Sequence, residues 1–175
     1  MARSIVLVMG VEVRAARPGD GAGLARIWLE NARYYVERFP EDFREPEEPG
    51  LPEWFEGILA EPSDESELHL VALVDGEVGA FLYARLTVPD EDAERQMLGD
   101  YPYRRVHVEA LGTGNAYQRQ GLATRLVEAA EAWARELGAR AISAETYLAS
   151  PVSIPFWETR MGYRRRSVKL TKRLD

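Results

Sequence analysis

The hydrophobic period changes twice between residues 104 and 147, and this change constrains the fold more than any other feature of the chain. Residues 104–113 alternate apolar and polar, the period of a strand with one face in a core. On that pattern His107, Glu109 and Leu111 share one face, and Val106, Val108 and Ala110 share the other. Leu122, Leu126, Ala130, Trp133 and Leu137 then recur at helical spacing, which predicts a helix over residues 121–137. Glu131 and Arg135 add a favourable i,i+4 pair, and Gly138 supplies the stop. Residues 140–147 return to strand character. Two strands joined through a helix run parallel, so the chain is expected to hold a parallel pair.

The junction between the first strand and its helix reads Gln118-Arg119-Gln120-Gly121-Leu122-Ala123, followed by Thr124. The first turn of a helix leaves backbone N–H groups without partners, and the helix dipole adds partial positive charge there. A phosphate or pyrophosphate fits such a seat. Gly121 has no Cβ and lets the backbone approach an anion closely, and Arg119 and Arg125 offer charge and hydrogen bonds. An ordinary strand-to-helix turn has the same composition, so the loop alone does not decide. Two nucleotide motifs are excluded. Tyr117 stands where the last glycine of G-x-G-x-x-G belongs, and no lysine occurs before Lys169 to complete a Gly-Lys-Ser/Thr phosphate loop.

The rest of the chain supplies a frame for this unit. Val11–Ala15 alternates as a first strand, and Asp20 is placed to cap a helix carrying Leu24, Ile27, Trp28, Asn31 and Tyr35 on one stripe. Asn31 is the odd member: it either bonds backbone groups or faces a cavity. Residues 39–52 form a proline-rich acidic loop. Leu51–Ala60 is expected to be a second helix burying Trp54, Phe55 and Ile58. Residues 68–74 and 77–88 flank Asp75-Gly76, a hairpin signal. Residues 89–103 are a charged insertion with a short helix expected over 91–98. Residues 151–161 read as a helix with Ser150 as N-cap, and residues 163–170 as a last strand. Residues 1–10 form an extension too short to span a membrane, and residues 11–175 one domain.

Composition narrows the chemistry. At 175 residues with 46% hydrophobic content, the chain is large enough for a real core. The absence of cysteine excludes a thiol nucleophile and cysteine-ligated zinc, and fits a cytoplasmic protein. His69 and His107 are the only histidines, so no metal site is expected. A net charge of −7 argues against nonspecific nucleic-acid binding. The one basic cluster, Arg164-Arg165-Arg166 with Lys169, Lys172 and Arg173, reads as a solvated edge strand or as phosphate contacts. Neither a nucleic acid nor a membrane is expected as partner.

Gln118, Gly121 and Ala123 match Gln/Arg-x-x-Gly-x-Gly/Ala, and over residues 11–170 the chain resembles the GNAT N-acetyltransferase superfamily. The resemblance implies an α/β fold with a mixed sheet, in the order β-α-α-β-β-β-α-β-α-β. Its central parallel strands splay apart to admit acetyl-CoA, a co-substrate. It implies that residues 118–124 hold the pyrophosphate, and that the strand end at Leu111, Gly112 and Thr113, with a β-bulge nearby, grips the pantetheine arm and offers an amide to the oxyanion. Ser150 stands where the family commonly has a cofactor-contacting asparagine, and Trp157 would pack near the cofactor. The activity implied is acetyl transfer to a primary amine of a small molecule or peptide, by direct attack in a ternary complex.

The resemblance also frames the acid–base groups. A carboxylate in a partly dry cleft suits general-base work, and Glu109 is the candidate, acting directly or through water. His107, on the same face, matches the position where some members carry a glutamate base. Either residue has a structural alternative, Glu109 as partner of Arg104 or Arg85. Thiolate departure is helped by a proton, since a free thiol has a pKa of about 8.5. The family's helix tyrosine is replaced by Glu158, or by Trp157 if an extra residue is absorbed as a π-bulge, leaving Tyr147 or water as acid. The region between the first two helices often shapes the acceptor pocket, so Asn31, Tyr34 and Tyr35 are acceptor candidates, a packed aromatic pair being the alternative for the tyrosines. Members often dimerise, which a homodimer here would match. A noncatalytic acyl-CoA-binding domain is the alternative function.

Overall fold

Two local signals set the sheet. Alternating Val11–Ala15 forms strand β1, and the Asp75-Gly76 dipeptide, with φ of 51° and 86°, turns β2 (Glu67–Val74) into β3 (Glu77–Thr87). Positive φ at both central residues matches the right-handed twist of the flanking strands. Strand β4 (Arg105–Thr113) pairs antiparallel with β3 and parallel with β5 (Ala141–Ala144), completing a five-stranded sheet in the order β1-β2-β3-β4-β5. The structure, a computed structural model, describes residues 10–61, 64–172 and 174. The predicted extension lies outside them except for Gly10.

Helices cover both faces. Helix α1 (Gly21–Arg38) and α2 (Leu51–Ala60) bury Leu24, Ile27, Leu51 and Phe55 against Val71, Leu73, Val78 and Phe81 on one face. Helix α3 (Leu122–Glu136) packs on β2, β3 and β4. Its residues Leu122, Leu126 and Val127 are buried, as are Leu82, Val106 and Val108 of the sheet. Trp54, expected inside, is 54% exposed, because α2 turns Leu51 and Phe55, with part of Ile58 and Leu59, inward.

Asp20 occupies the N-cap position of α1 but makes no cap bond. Its carboxylate is drawn instead to Arg14 of β1 in two bonds of 2.7 Å, and it accepts the Arg17 amide. Glu56 of α2 takes over at the helix start, accepting the amides of Gly19 and Gly21 at 2.8 and 2.7 Å.

The expected face assignment of β4 is overturned by a bulge. Ala84 pairs with Val108 and Tyr83 with Ala110, so Glu109 is an extra residue without a cross-strand partner. A bulge shifts the alternation by one. Leu111, opposite Leu82, therefore joins Val106 and Val108, while Ala110, opposite Tyr83, joins His107 on the α1–α2 face. The bulge expected near Gly112 sits at Glu109.

The described residues divide into two compact units at Ala144. In the second, the helix predicted over residues 151–161 is one α-turn, Ser153–Pro155, continuing as a π-turn, Phe156–Arg160, closed by the Met161 amide on the Phe156 carbonyl at 3.0 Å. Residues 163–170 form no strand, and β5 is half its expected length. The 91–98 helix contracts to a 3-10 turn at Ala93–Arg95. Among the described residues no helix is long and apolar enough to cross a membrane.

Candidate active site

The loop before α3 is held from behind. Glu30 of α1 accepts the Asn115 amide at 2.6 Å, and Arg26, paired with Glu30, donates to the Val78 carbonyl at 2.6 Å. Tyr117 donates to Glu77 at 2.7 Å, and the Gly114 amide bonds to Gly79. Past this anchor the backbone takes two left-handed residues, Arg119 at φ 63° and Gly121 at φ 80°. Arginine rarely adopts this conformation, and such strain persists where the surroundings impose it. The first bond of α3 runs from the Arg125 amide to the Gly121 carbonyl, so the amides of Leu122 and Ala123 precede the ladder. A Cβ on Gly121 would have no atom within 4 Å, which leaves the turn open to an anion. Successive amides around left-handed residues form an anion-binding concavity.

Gln118, Arg119, Gln120 and Gly121 are exposed, Ala123, Thr124 and Arg125 half-buried, and Leu122 sends its side chain into the core. The side chains of Gln118 and Gln120 bond back to Asn115 and Ala116, which leaves binding to the backbone.

Strand β4 reaches beyond its parallel partner. The ladder to β5 covers four pairs and ends at Val108–Ala144, whereas β4 continues to Thr113. Glu109, Ala110, Leu111, Gly112 and Thr113 lie past that end. Gly112 is closed in on one side: a Cβ there would stand 2.5 Å from Phe81 and 2.8 Å from the Asn31 amide nitrogen. Asn31 also donates to the Ile27 carbonyl at 2.8 Å, so it both bonds its helix and abuts the strand end. Glu109 is exposed, and its charge acts on Arg85. His107 shares a 2.9 Å hydrogen bond between Nδ1 and Ser143. Tyr34 and Tyr35 pack edge-to-face at 5.3 Å, with Tyr35 stacked on Phe43 and Arg38 over Tyr34.

A cleft of about 370 Å³ opens between the sheet and α1–α2. Trp28, Phe55 and Ile58 wall it on the helix side, and Ala110 lines it from β4. Its polar groups are Glu67, His69 and Tyr83. Tyr83 donates to Glu67 at 3.0 Å and accepts from Arg85 at 2.5 Å, and the His69 ring stacks on Tyr83 at 4.4 Å. Burial, reinforced by Glu67, pushes the Tyr83 phenol above its ordinary value against the opposing pull of Arg85.

In the second unit Ser150 is buried and its hydroxyl accepts the Ser153 amide at 3.1 Å, but the helical turn starts at Ser153, so Val152 and not Ser150 holds the N-cap position. Trp157 sits on the π-turn between Phe156 and Tyr163, with ring centroids 5.1 and 4.8 Å away. Glu158 is bonded by Arg165 at 2.5 and 3.0 Å. Tyr147 is half-buried, and its carbonyl accepts the Ser150 amide.

The model of the acetyltransferase (GNAT) family matches residues 24–163. The chain belongs to this family. No curated protein matches the sequence. Among solved structures, a tetramutant of the BH1408 protein from Bacillus halodurans superimposes with a TM-score of 0.75 at 19% identity, covering 93% of this chain and 99% of the other. A transcriptional regulator from Bacillus halodurans C-125 gives 0.68 at 22%, covering 94% and 99%. An aminoglycoside acetyltransferase, meta-AAC0020, from an uncultured soil metagenomic sample gives 0.61 at 14%, covering 95% and 97%. These likenesses show the fold.

The backbone of this loop would suit a diphosphate: two left-handed residues, open space over Gly121 and amides ahead of the helical ladder. Sequence reasoning missed the Glu30 anchor and the group formed by Glu67, His69, Tyr83 and Arg85. Alternation within residues 67–69 and 83–85 carried only part of the signal: the Asp75-Gly76 hairpin alone would set Glu67 opposite Ala84, and an irregularity that leaves Gly79 unpaired shifts the register so that Glu67 lies opposite Arg85 and His69 opposite Tyr83.

Proposed function

We propose that the protein is an acetyl-CoA-dependent N-acetyltransferase acting on a primary amine. Acetyl-CoA would supply an activated acetyl thioester. The support from the chain is the Arg119–Gly121 turn, whose backbone suits a diphosphate, beside a β4 end free of its parallel ladder. In this reading the amides of Gly121, Leu122 and Ala123 bind the diphosphate, with Arg119 and Arg125 adding charge. The backbone of Leu111 to Thr113, past the end of the parallel ladder, aligns the extended arm.

Glu109 protrudes from the bulge and accepts a proton from the acceptor ammonium at a carboxylate oxygen, directly or through water. His107, bonded through Nδ1 to Ser143, positions rather than abstracts. The departing sulfur takes its proton from water in this reading.

The test is titration with acetyl-CoA, followed by thiol release with an amine panel. Saturable binding, with a turnover that Glu109→Gln lowers about 10²-fold or more in kcat/KM, is the expected result. No binding at millimolar acetyl-CoA overturns the proposal. The occupied Glu158 and the absence of a phenol on the π-turn favour one second reading, a noncatalytic acyl-CoA-binding domain. That reading requires binding without turnover, and a rate lost in Glu109→Gln rejects it.

A further inference from the structure

We infer that the cleft under α1 and α2 is the acceptor pocket and that its acceptor is a primary amine on an aromatic or bulky apolar body. The inference rests on the acetyl-transfer reading and specifies its substrate class. The volume of about 370 Å³ falls in the range of small-molecule sites. The walls are nearly all carbon: Leu24, Trp28, Phe55 and Ile58 come from the helices, and Phe81 and Ala110 from the sheet. Trp28 meets Phe55 edge-on at 6.0 Å and Phe81 at 6.1 Å, which leaves ring edges and faces for a further ring to pack on. A hydroxylated sugar ring would lose water there and find no partners for its hydroxyls, so an aminoglycoside is a poor fit.

The polar groups orient the amine. Glu67 pairs with Arg85 at 3.5 Å, and the charge of Glu109 also acts on that guanidinium. Two carboxylates set against one guanidinium leave negative charge at this end of the cleft, which an ammonium neutralises. Its position also suits the reaction, because Ala110 lines the cleft and its chain neighbour is Glu109. The bulge makes this possible: without the extra residue, Ala110 would turn to the α3 face. A polyamine would satisfy the charge but leave its remaining ammonium groups against Trp28 and Phe55 without counterions.

The experiment is calorimetric titration of the full chain with 2-phenylethylamine, with and without saturating coenzyme A, against spermidine and sisomicin. The expected result is saturable phenylethylamine binding at least tenfold tighter than either competitor. Ala110→Phe, which fills the cleft, should weaken it at least tenfold. Trp54→Ala, on the half-exposed rim, should weaken it at least threefold while melting as the wild type does. Absent phenylethylamine binding, tighter binding of spermidine or sisomicin, or undiminished binding in a folded variant overturns the inference. Acetyl-CoA titration separates the two levels. Its failure removes the acetyl-transfer reading, whereas amine binding without coenzyme A reads the pocket alone.

Discussion

Asp20 joins the first strand to the first helix with one buried carboxylate. It is 6% exposed, and burial alone would raise its pKa, but the two Arg14 hydrogen bonds, the Arg17 amide and the charges of both arginines outweigh this and hold it below the ordinary value. A carboxyl with a depressed folded pKa contributes stability above its unfolded pKa, about 3.9, and loses it as pH falls through the folded value. Asp20→Asn is expected to cost about 3 kcal/mol at pH 7, because Arg14 keeps only the more distant carboxylate of Glu12, at 4.0 Å. The gap from wild type should close in urea melts at pH below the folded pKa. Gly121 belongs to the same scale. Its φ of 80° strains any other residue, while the space around it is open, so Gly121→Val is a backbone test rather than a steric one. A loss of about 1–2 kcal/mol in stability is expected, with acetyl-CoA affinity falling at least tenfold by calorimetry. Unchanged affinity would detach the loop from the cofactor.

Among the elements, α1 does more than cover the sheet. Its Glu30 reaches across to the Asn115 amide, so the helix fixes the approach of the chain to the Arg119–Gly121 turn. Glu30→Gln keeps the shape but gives up the charge-assisted bond, worth about 1.5–3 kcal/mol. Acetyl-CoA affinity should fall several-fold with kcat at saturation nearly unchanged, as steady-state kinetics will read. A fall in kcat with KM unchanged would place Glu30 elsewhere in the reaction. Strand β4 is the other element whose detail matters. One extra residue, Glu109, lifts a carboxylate out of the ladder and turns Ala110 toward the cleft. The π-turn at Phe156–Arg160 plays a comparable part in the second unit, absorbing the extra residue of Phe156-Trp157-Glu158-Thr159-Arg160-Met161 before Gly162 at φ 75°.

At the scale of the whole molecule, the chain carries a net charge of −7 and yet is proposed to bind a polyanion. Bulk charge opposes this encounter; short-range amides and Arg119 and Arg125 at the loop must supply the affinity. A ligand bound only by the folded state at a hundred times its Kd stabilises by about 2.7 kcal/mol. For a chain of this length that raises Tm by about 5–10 °C. Acetyl-CoA should produce such a shift in a thermal melt and free acetate none; equal melts with and without it would contradict the assignment.

What the amino-acid order determined by itself was local. The elements at residues 11–15 and 51–60, the helix expected over 121–137 and found over 122–136, the Asp75-Gly76 hairpin and the glycine before α3 each depend on neighbours a few positions away, and each element appears where it was expected, though Trp54 of the second faces out. The parallel β4–β5 pair followed as well, because a helix between two strands leaves few ways to connect them. Tertiary structure alone decided the rest. Whether Glu109 continues the alternation or stands out of it depends on which residues of β3 lie opposite. Whether Asp20 caps a helix or pairs with Arg14 depends on Glu56, 36 positions later in the chain, reaching the helix start. The cleft brings together residues of α1, α2 and three strands, a proximity that arises only when both helices lie on the sheet. Such contacts join groups far apart in sequence, so no local period can announce them.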